Sequence, residues 1–138
     1  MTKSRLLLAD DHLGTAELLR VLLQSEFEVI AQVRDGSALV EAARRLHPDV
    51  IVSDISMPVV DGITAAGQIL RDDPDARIVF VTVHCEPILI QRGLATGALG
   101  YVLKRTAGDE LIPAVRSALR GERHVSHESL PASASGAR

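Results

Sequence analysis

The chain is nearly devoid of aromatic residues: tryptophan is absent, and Phe27, Phe80 and Tyr101 are the whole aromatic complement. A core built without large rings must be aliphatic, assembled from Leu, Val, Ile and Ala. Cysteine is equally scarce. Cys85 stands alone, which excludes an intrachain disulfide and fits a reducing compartment. No apolar run approaches the roughly 20 residues that a membrane span needs. The run from Leu6 to Ala9 is too short for the apolar region of a signal peptide, and Asp10 and Asp11 stop it. Charge of one sign is also missing. Eighteen acidic residues against 15 basic leave a net charge of −3, which supplies no general field for nucleic acid. What remains is a soluble, intracellular, single-domain chain. Its 138 residues can bury about two-thirds of their unfolded surface without staples.

Against this plain background the apolar residues alternate between two patterns. Arg5–Ala9, Glu28–Val33, Val50–Val52, Arg77–Val81 and Leu99–Leu103 are short strand-like runs; the first is continuously apolar after Arg5, as a strand covered on both faces is, and the second is rich in β-branched residues. Between them, Leu13–Gln24, Ser37–Leu46, Ile63–Leu70, Ile88–Leu94 and Asp109–Arg120 carry helical spacing. Ser37 is placed to cap the second helix, His47-Pro48-Asp49 to break it, and Pro87 to occupy a first helical turn, where its missing N–H costs nothing. Gly97 and Gly121 are stop signals. Five strand–helix repeats predict a parallel sheet with right-handed crossovers and helices on both faces. In such a sheet ligands bind beyond the carboxyl ends of the strands, where strand order reverses.

Those carboxyl ends carry the chemistry. Asp10 and Asp11 follow the first strand, Asp54 the third, Thr82 closes the fourth, and Lys104 follows the fifth. Each has an ordinary reading when taken singly: turn former, helix cap, strand end, solvated charge. Four strand ends furnished in one order make a different case. An aspartate can attack phosphorus to form an acyl phosphate, and carboxylates sharing a pocket with a phosphoryl group need a cation. Mg²⁺ suits such an oxygen-rich site. Asp11 is then the expected direct ligand, with Asp10 acting directly or through water. Lys104 offers a point charge to phosphoryl oxygens, and Thr82 a hydroxyl.

The stretches Leu6–His12, Pro48–Pro58, Asp61-Gly62, Val79–Thr82 and Gly97–Lys104 together resemble the receiver domain of bacterial two-component response regulators, NarL/FixJ type, from about Arg5 to Ser126. The resemblance implies a flavodoxin-like (βα)5 fold, α/β with a doubly wound parallel sheet of strand order 2-1-3-4-5, over residues 1–126. Residues 127–138 are expected to be a disordered tail. It further implies Asp54 as phosphoacceptor, fed by a sensor histidine kinase. Mg²⁺ would be held by Asp10, Asp11, Asp54 and the Ser56 backbone carbonyl. Lys104 would be the phosphate contact, and Thr82 and Tyr101 the switch pair, with Tyr101 rotating inward as Thr82 moves toward the phosphoryl group. A homodimer is expected through the fourth helix, fifth strand and fifth helix, or through the first and fifth helices. A cytoplasmic protein that turns over no external substrate follows.

The chain departs from the family pattern in places. Arg105 stands where many receivers carry proline. Val83 is larger than usual after the switch hydroxyl and is expected to narrow the approach to Asp54, while His84 reads as an ordinary loop histidine. NarL/FixJ-type regulators normally continue into a helix-turn-helix domain, for which the residues after the receiver are too few, so direct nucleic-acid binding is not expected. Two other readings stay open: a receiver-like binding module that works without phosphorylation, and a shortened form of a DNA-binding transcriptional regulator. A phosphatase of the haloacid-dehalogenase kind is disfavoured, because Ser56 stands where those enzymes carry a second aspartate.

Overall fold

The computed structural model describes residues 2–126, so the expected disorder of 127–138 lies outside the described residues. The elements run β1 (Arg5–Ala9), α1 (Leu13–Gln24), β2 (Glu28–Val33), α2 (Gly36–Leu46), β3 (Val50–Ser53), α3 (Gly62–Asp72), β4 (Ile78–Thr82), α4 (Pro87–Ala95), β5 (Gly100–Leu103), a single 3₁₀ turn (Lys104–Thr106), α5 (Ala107–Leu119) and β6 (His124–Val125). All strand pairs are parallel, in the order β2-β1-β3-β4-β5-β6. The expected order holds, and a sixth strand is added on the open edge of β5. None of the helices among the described residues is long and apolar enough to cross a membrane.

Strand alternation splits the core into two layers. Leu7, Ala9, Ile51, Ile78, Phe80, Tyr101 and Leu103 face the layer that contains Leu39 and Val40 of α2, Ala65 and Ile69 of α3, and Ile90 of α4. Their neighbours Leu6, Leu8, Val50, Val52, Val79, Val81 and Val102 face Leu19 and Leu23 of α1 and Leu111, Ala114 and Val115 of α5. Since both faces of the sheet are covered, β1, β3, β4 and β5 read as apolar runs rather than alternating ones, while the edge strand β2 is only half-buried. Phe80 and Tyr101, ring centroids 6.3 Å apart and edge to face, are the only aromatic pair in the first layer.

Local signals explain most element ends. His47 takes a left-handed conformation (φ 47°) as the residue closing α2, just before Pro48, and Gly97 and Gly121 have φ of 102° and 76° after α4 and α5. Pro87 opens α4. The cap of α2 is Asp35 rather than Ser37: its carboxylate accepts from the Ala38 N–H at 2.7 Å. Asp61 caps α3 in the same way, accepting from the Thr64 N–H at 2.8 Å. Ser37 falls inside the first turn because Gly36 already belongs to the helix. A Cβ on Gly36 would stand 2.0 Å from the Val60 carbonyl oxygen, so the chain enters α2 where only glycine fits.

Strand register sets the site. β1 and β3 lie side by side with their helices leaving on opposite faces, which makes their carboxyl ends the reversal point of the sheet. Ala9 is paired with Ser53, and the Asp54 N–H donates to the Ala9 carbonyl at 2.9 Å. Asp10 and Asp54 therefore leave the sheet as neighbours. On the far side Thr82 is paired with Leu103, which delivers Lys104 to the same edge.

Candidate functional site

Asp10, Asp54 and Thr82 are buried polar side chains at the edge of a largely apolar interior. Burial of ionised carboxylates is costly unless they are paired, and the partner here is Lys104. Its Nζ lies 2.9 Å from Asp54 Oδ2 and 2.9 Å from Asp10 Oδ2. Only the Asp54 contact has hydrogen-bond alignment, since Asp10 Oδ2 is left without a directed donor; the Asp10 contact is an ion pair. The remaining Asp54 oxygen, Oδ1, accepts from the Ile55 N–H at 2.7 Å, and Asp10 Oδ1 accepts from the His12 N–H at 2.9 Å. Burial works against the Lys104 ammonium, but the contacts with Asp54 and Asp10 outweigh it and hold its pKa above the ordinary lysine value.

The acidic side of the site is under-satisfied. Buried Asp10 Oδ2 and Asp11 Oδ1 both lack a hydrogen-bond donor, and Asp10, Asp11, His12 and Asp54 each bring a ligand atom within 4.8 Å of the others. One lysine cannot neutralise three carboxylates. Converging hard oxygen donors, more negative than the one ammonium beside them can balance, fit a small divalent cation such as Mg²⁺. His12 is an addition to the expected set. Its Nδ1 lies 3.2 Å from Asp11 Oδ1, but the side chain is 65% exposed. Spacing alone could not have singled it out from any other loop histidine.

The fourth strand and the loop after it form a second cluster around His84. The His84 N–H donates to Thr82 Oγ1 at 3.2 Å, the Tyr101 hydroxyl donates to the His84 carbonyl at 2.8 Å, and His84 Nε2 meets Ser56 Oγ at 2.7 Å. One residue thus touches Thr82, Tyr101 and the loop that follows Asp54. His84 is a loop residue, as the sequence suggests, and its main chain bridges Thr82 and Tyr101. Tyr101 is fully buried, with its ring packed in the interior. Burial, and then the negative charges of Glu86, Cys85 and Asp54, raise the pKa of its hydroxyl far above the ordinary range. Val83 directly follows Thr82 in the loop after β4. Its side chain is 69% exposed.

A cleft of about 730 Å³ opens beside the acidic cluster, lined among others by Asp11, His12, Ser56, Asp61, His84 and Arg92. Its floor is held by close backbone packing. The Gly62 N–H donates to the Ile55 carbonyl at 2.7 Å, and a Cβ on Gly62 would stand 2.0 Å from the Asp54 carbonyl oxygen. Of the sequence-derived residues, Asp10, Asp11, Asp54 and Lys104 come together directly. Thr82 and Tyr101 meet through His84, and Ser56 lies on the cleft wall with its hydroxyl turned to His84.

Known proteins resemble this chain over most of its length. The family model of the response regulator receiver domain matches residues 6–116. The transcriptional regulatory protein DegU of Brevibacillus brevis is 35% identical over 125 residues, covering 89% of this chain and 53% of its own length. The chain thus spans about half the length of that curated relative. The crystal structure of a LuxR-family two-component response regulator from Aurantimonas sp. SI85-9A1 superposes with a TM-score of 0.88 at 31% identity, over 93% of both chains. The isolated REC domain of RcsB from Salmonella enterica serovar Typhimurium, solved in the presence of phosphomimetic BeF3−, superposes with a TM-score of 0.84 at 26% identity, over 93% of this chain and 96% of that one. A doubly wound sheet with an acidic reversal point, matched over most of its length by these relatives, places the chain in the response regulator receiver family of two-component phosphorelay signalling.

Proposed function

We propose that Asp54 accepts a phosphoryl group from a sensor histidine kinase in a Mg²⁺-dependent reaction, and that the resulting charge changes which proteins residues 1–126 contact. A carboxylate oxygen of Asp54 attacks phosphorus, the bond from phosphorus to the kinase histidine breaks, and that histidine keeps the electron pair. The observation that carries this reading is the Asp54 carboxylate: buried, at the carboxyl end of a central strand, and hydrogen bonded to Lys104 beside acidic oxygens with no donor.

Asp10, Asp11, Asp54 and the Ser56 carbonyl would hold Mg²⁺, which supplies charge neutralisation between the carboxylates and the incoming phosphoryl group. Lys104 exchanges its contact with the Asp54 carboxylate for one with phosphoryl oxygens. Thr82, whose oxygen accepts from the His84 N–H, directs its hydroxyl hydrogen to the same group. A phosphoryl group adds about −1.5 to −2 of charge and three acceptor oxygens, enough to pull on Thr82. His84 links Thr82 to Tyr101, so the pull reaches the fifth strand and the helix before it. The protein acts in the cytoplasm as a signalling module and not on an external metabolite. A homodimer through α1 and α5 or through α4, β5 and α5 remains part of the proposal; α1 exposes Leu13, Leu18 and Val21, and α4 exposes Ile88.

The test is intact mass after incubation with acetyl phosphate, with and without Mg²⁺, on the wild type and Asp54→Asn. A Mg²⁺-dependent gain of one phosphoryl group, absent from the variant, is expected. A gain of equal size in Asp54→Asn would overturn the assignment. Absence of any gain, from acetyl phosphate or from a kinase, would favour a binding module that works without phosphorylation.

A further inference from the structure

The sixth strand meets the fifth at the residues that matter for the site. His124 is paired with Gly100 and Val125 with Tyr101. Beyond them, Ser126 is fully buried, and its N–H donates to the Tyr101 carbonyl at 2.9 Å. In a regular parallel ladder the Leu103 N–H would next donate to the Ser126 carbonyl. Instead it donates to the Ser126 hydroxyl oxygen at 3.3 Å. A side chain has taken over the last rung of the sheet, one residue before Lys104. From the other side, the Thr106 hydroxyl donates to the Leu103 carbonyl at 3.2 Å, so both polar groups of Leu103 are fixed. Glu110 closes the arrangement. Its carboxylate lies 3.2 Å from His124 Nε2.

We propose that β6 is a latch on the phosphoacceptor site, in which Ser126 acts as a positioning residue for Lys104 through the Leu103 N–H. With the latch closed, the end of β5 is held and the 3₁₀ turn begins at Lys104, which directs the ammonium at Asp10 and Asp54. With the latch open, the last rung of β5 is lost and Lys104 is free to swing away. Binding of a phosphoryl group beside Lys104 therefore favours the closed latch, and the closed latch favours binding, by the same factor. The inference rests on the reading of Asp54 as the acceptor.

Beryllofluoride with Mg²⁺, a phosphoryl mimic, is the probe, and the full chain is the sample. In the wild type it should slow amide hydrogen exchange at Leu103 and Ser126 by about fivefold, the lower end of ordinary coupling between sites. Exchange at Leu8, buried in the centre of the sheet, serves as the control for global stabilisation. Ser126→Ala should weaken beryllofluoride binding by a similar factor, and Ser126→Thr should recover most of it by restoring the hydroxyl. The acceptor reading is scored separately, by the mass gain on Asp54. If the wild type gains the phosphoryl group while both amides exchange unchanged, or change only in step with Leu8, the latch is overturned and the receiver reading stands. If the wild type neither gains mass nor binds beryllofluoride, the acceptor reading falls and the latch falls with it.

Discussion

Lys104 Nζ and Asp54 Oδ2 are 2.9 Å apart although 50 positions separate the two residues in the chain. The contact brings together the ends of two strands that do not adjoin, since β4 lies between β3 and β5. It also leaves the site with more negative charge than one ammonium can balance, and the imbalance governs how stability responds to metal.

Asp11 contributes a buried oxygen without a donor, next to two further carboxylates. Asp11→Asn is therefore expected to raise stability by about 1 kcal/mol in EDTA, because it removes a like charge and an unsatisfied acceptor. The same variant should lose most of the stabilisation that Mg²⁺ gives the wild type. Paired thermal melts in EDTA and in millimolar Mg²⁺ measure both effects; a variant less stable than the wild type in EDTA would refute the first.

Lys104→Met tests the other side of the balance. Removal of one partner from a buried ion pair leaves uncompensated charge and costs about 3 kcal/mol. The loss should be largest in EDTA and should shrink on adding Mg²⁺, so the variant gains more from the metal than the wild type does. Chemical denaturation at the two metal conditions reads the difference.

Val59 is an outlier in the loop after Asp54. Its φ is 69°, and it sits at the centre of a three-residue turn in which the Val60 N–H donates to the Pro58 carbonyl at 2.8 Å. A β-branched residue is strained in that conformation, and with 81% exposure its side chain recovers little by packing. Val59→Gly should relieve about 1–2 kcal/mol of backbone strain and return about 0.5–1 kcal/mol through the more flexible unfolded chain. A small net rise in the midpoint of urea unfolding is expected.

Tyr101→Phe removes only the hydroxyl that donates to the His84 carbonyl. The ring keeps its packing, so the expected loss is that of one hydrogen bond, about 1 kcal/mol. The His84 amide should then exchange faster with solvent, and nuclear magnetic resonance can follow it residue by residue.

Glu110 supplies a pH dependence that can be isolated. Partial burial opposes its ionisation, but hydrogen bonds from His124, Thr106 and Ser126 outweigh that and hold its carboxyl below the ordinary glutamate value. A folded-state pKa below the unfolded one means that the stabilisation is present above the unfolded value of about 4.3 and is lost as the pH falls toward the folded value. Glu110→Gln should therefore be less stable than the wild type at neutral pH, and the gap should close on acidification through that window. A gap that stayed constant down to pH values well below it would show that the ionised form is not what stabilises.

Much of this molecule was readable before any coordinates. Four of the five runs became β1, β3, β4 and β5 because strands buried on both faces must be continuously apolar, and the half-buried edge strand β2 was legible from its β-branched residues. Asp10, Asp54 and Lys104 converged because parallel strands end on one edge. The failures have equally physical sources. β6 has only two residues, one of them a histidine, too short for any period to register. Asp35 and Ser37 are both capping types, and the choice between them turned on the Val60 carbonyl above Gly36, a tertiary contact. The importance of His84 resides largely in its main-chain N–H and carbonyl, which every residue other than proline has. Nothing about a valine announces the turn at Val59, where the surrounding loop imposes a conformation that the residue itself disfavours.

Tyr101 is the single tyrosine of a chain that has no tryptophan, and it is fully buried with its hydroxyl bonded to the loop beyond Thr82. The intrinsic ultraviolet fluorescence of the protein, excited near 280 nm, therefore comes essentially from one ring at the junction between the acidic pocket and the edge of the sheet. Events at Asp54 that reach β5 can be followed by emission from the unlabelled protein, without an introduced dye or a second chromophore to subtract.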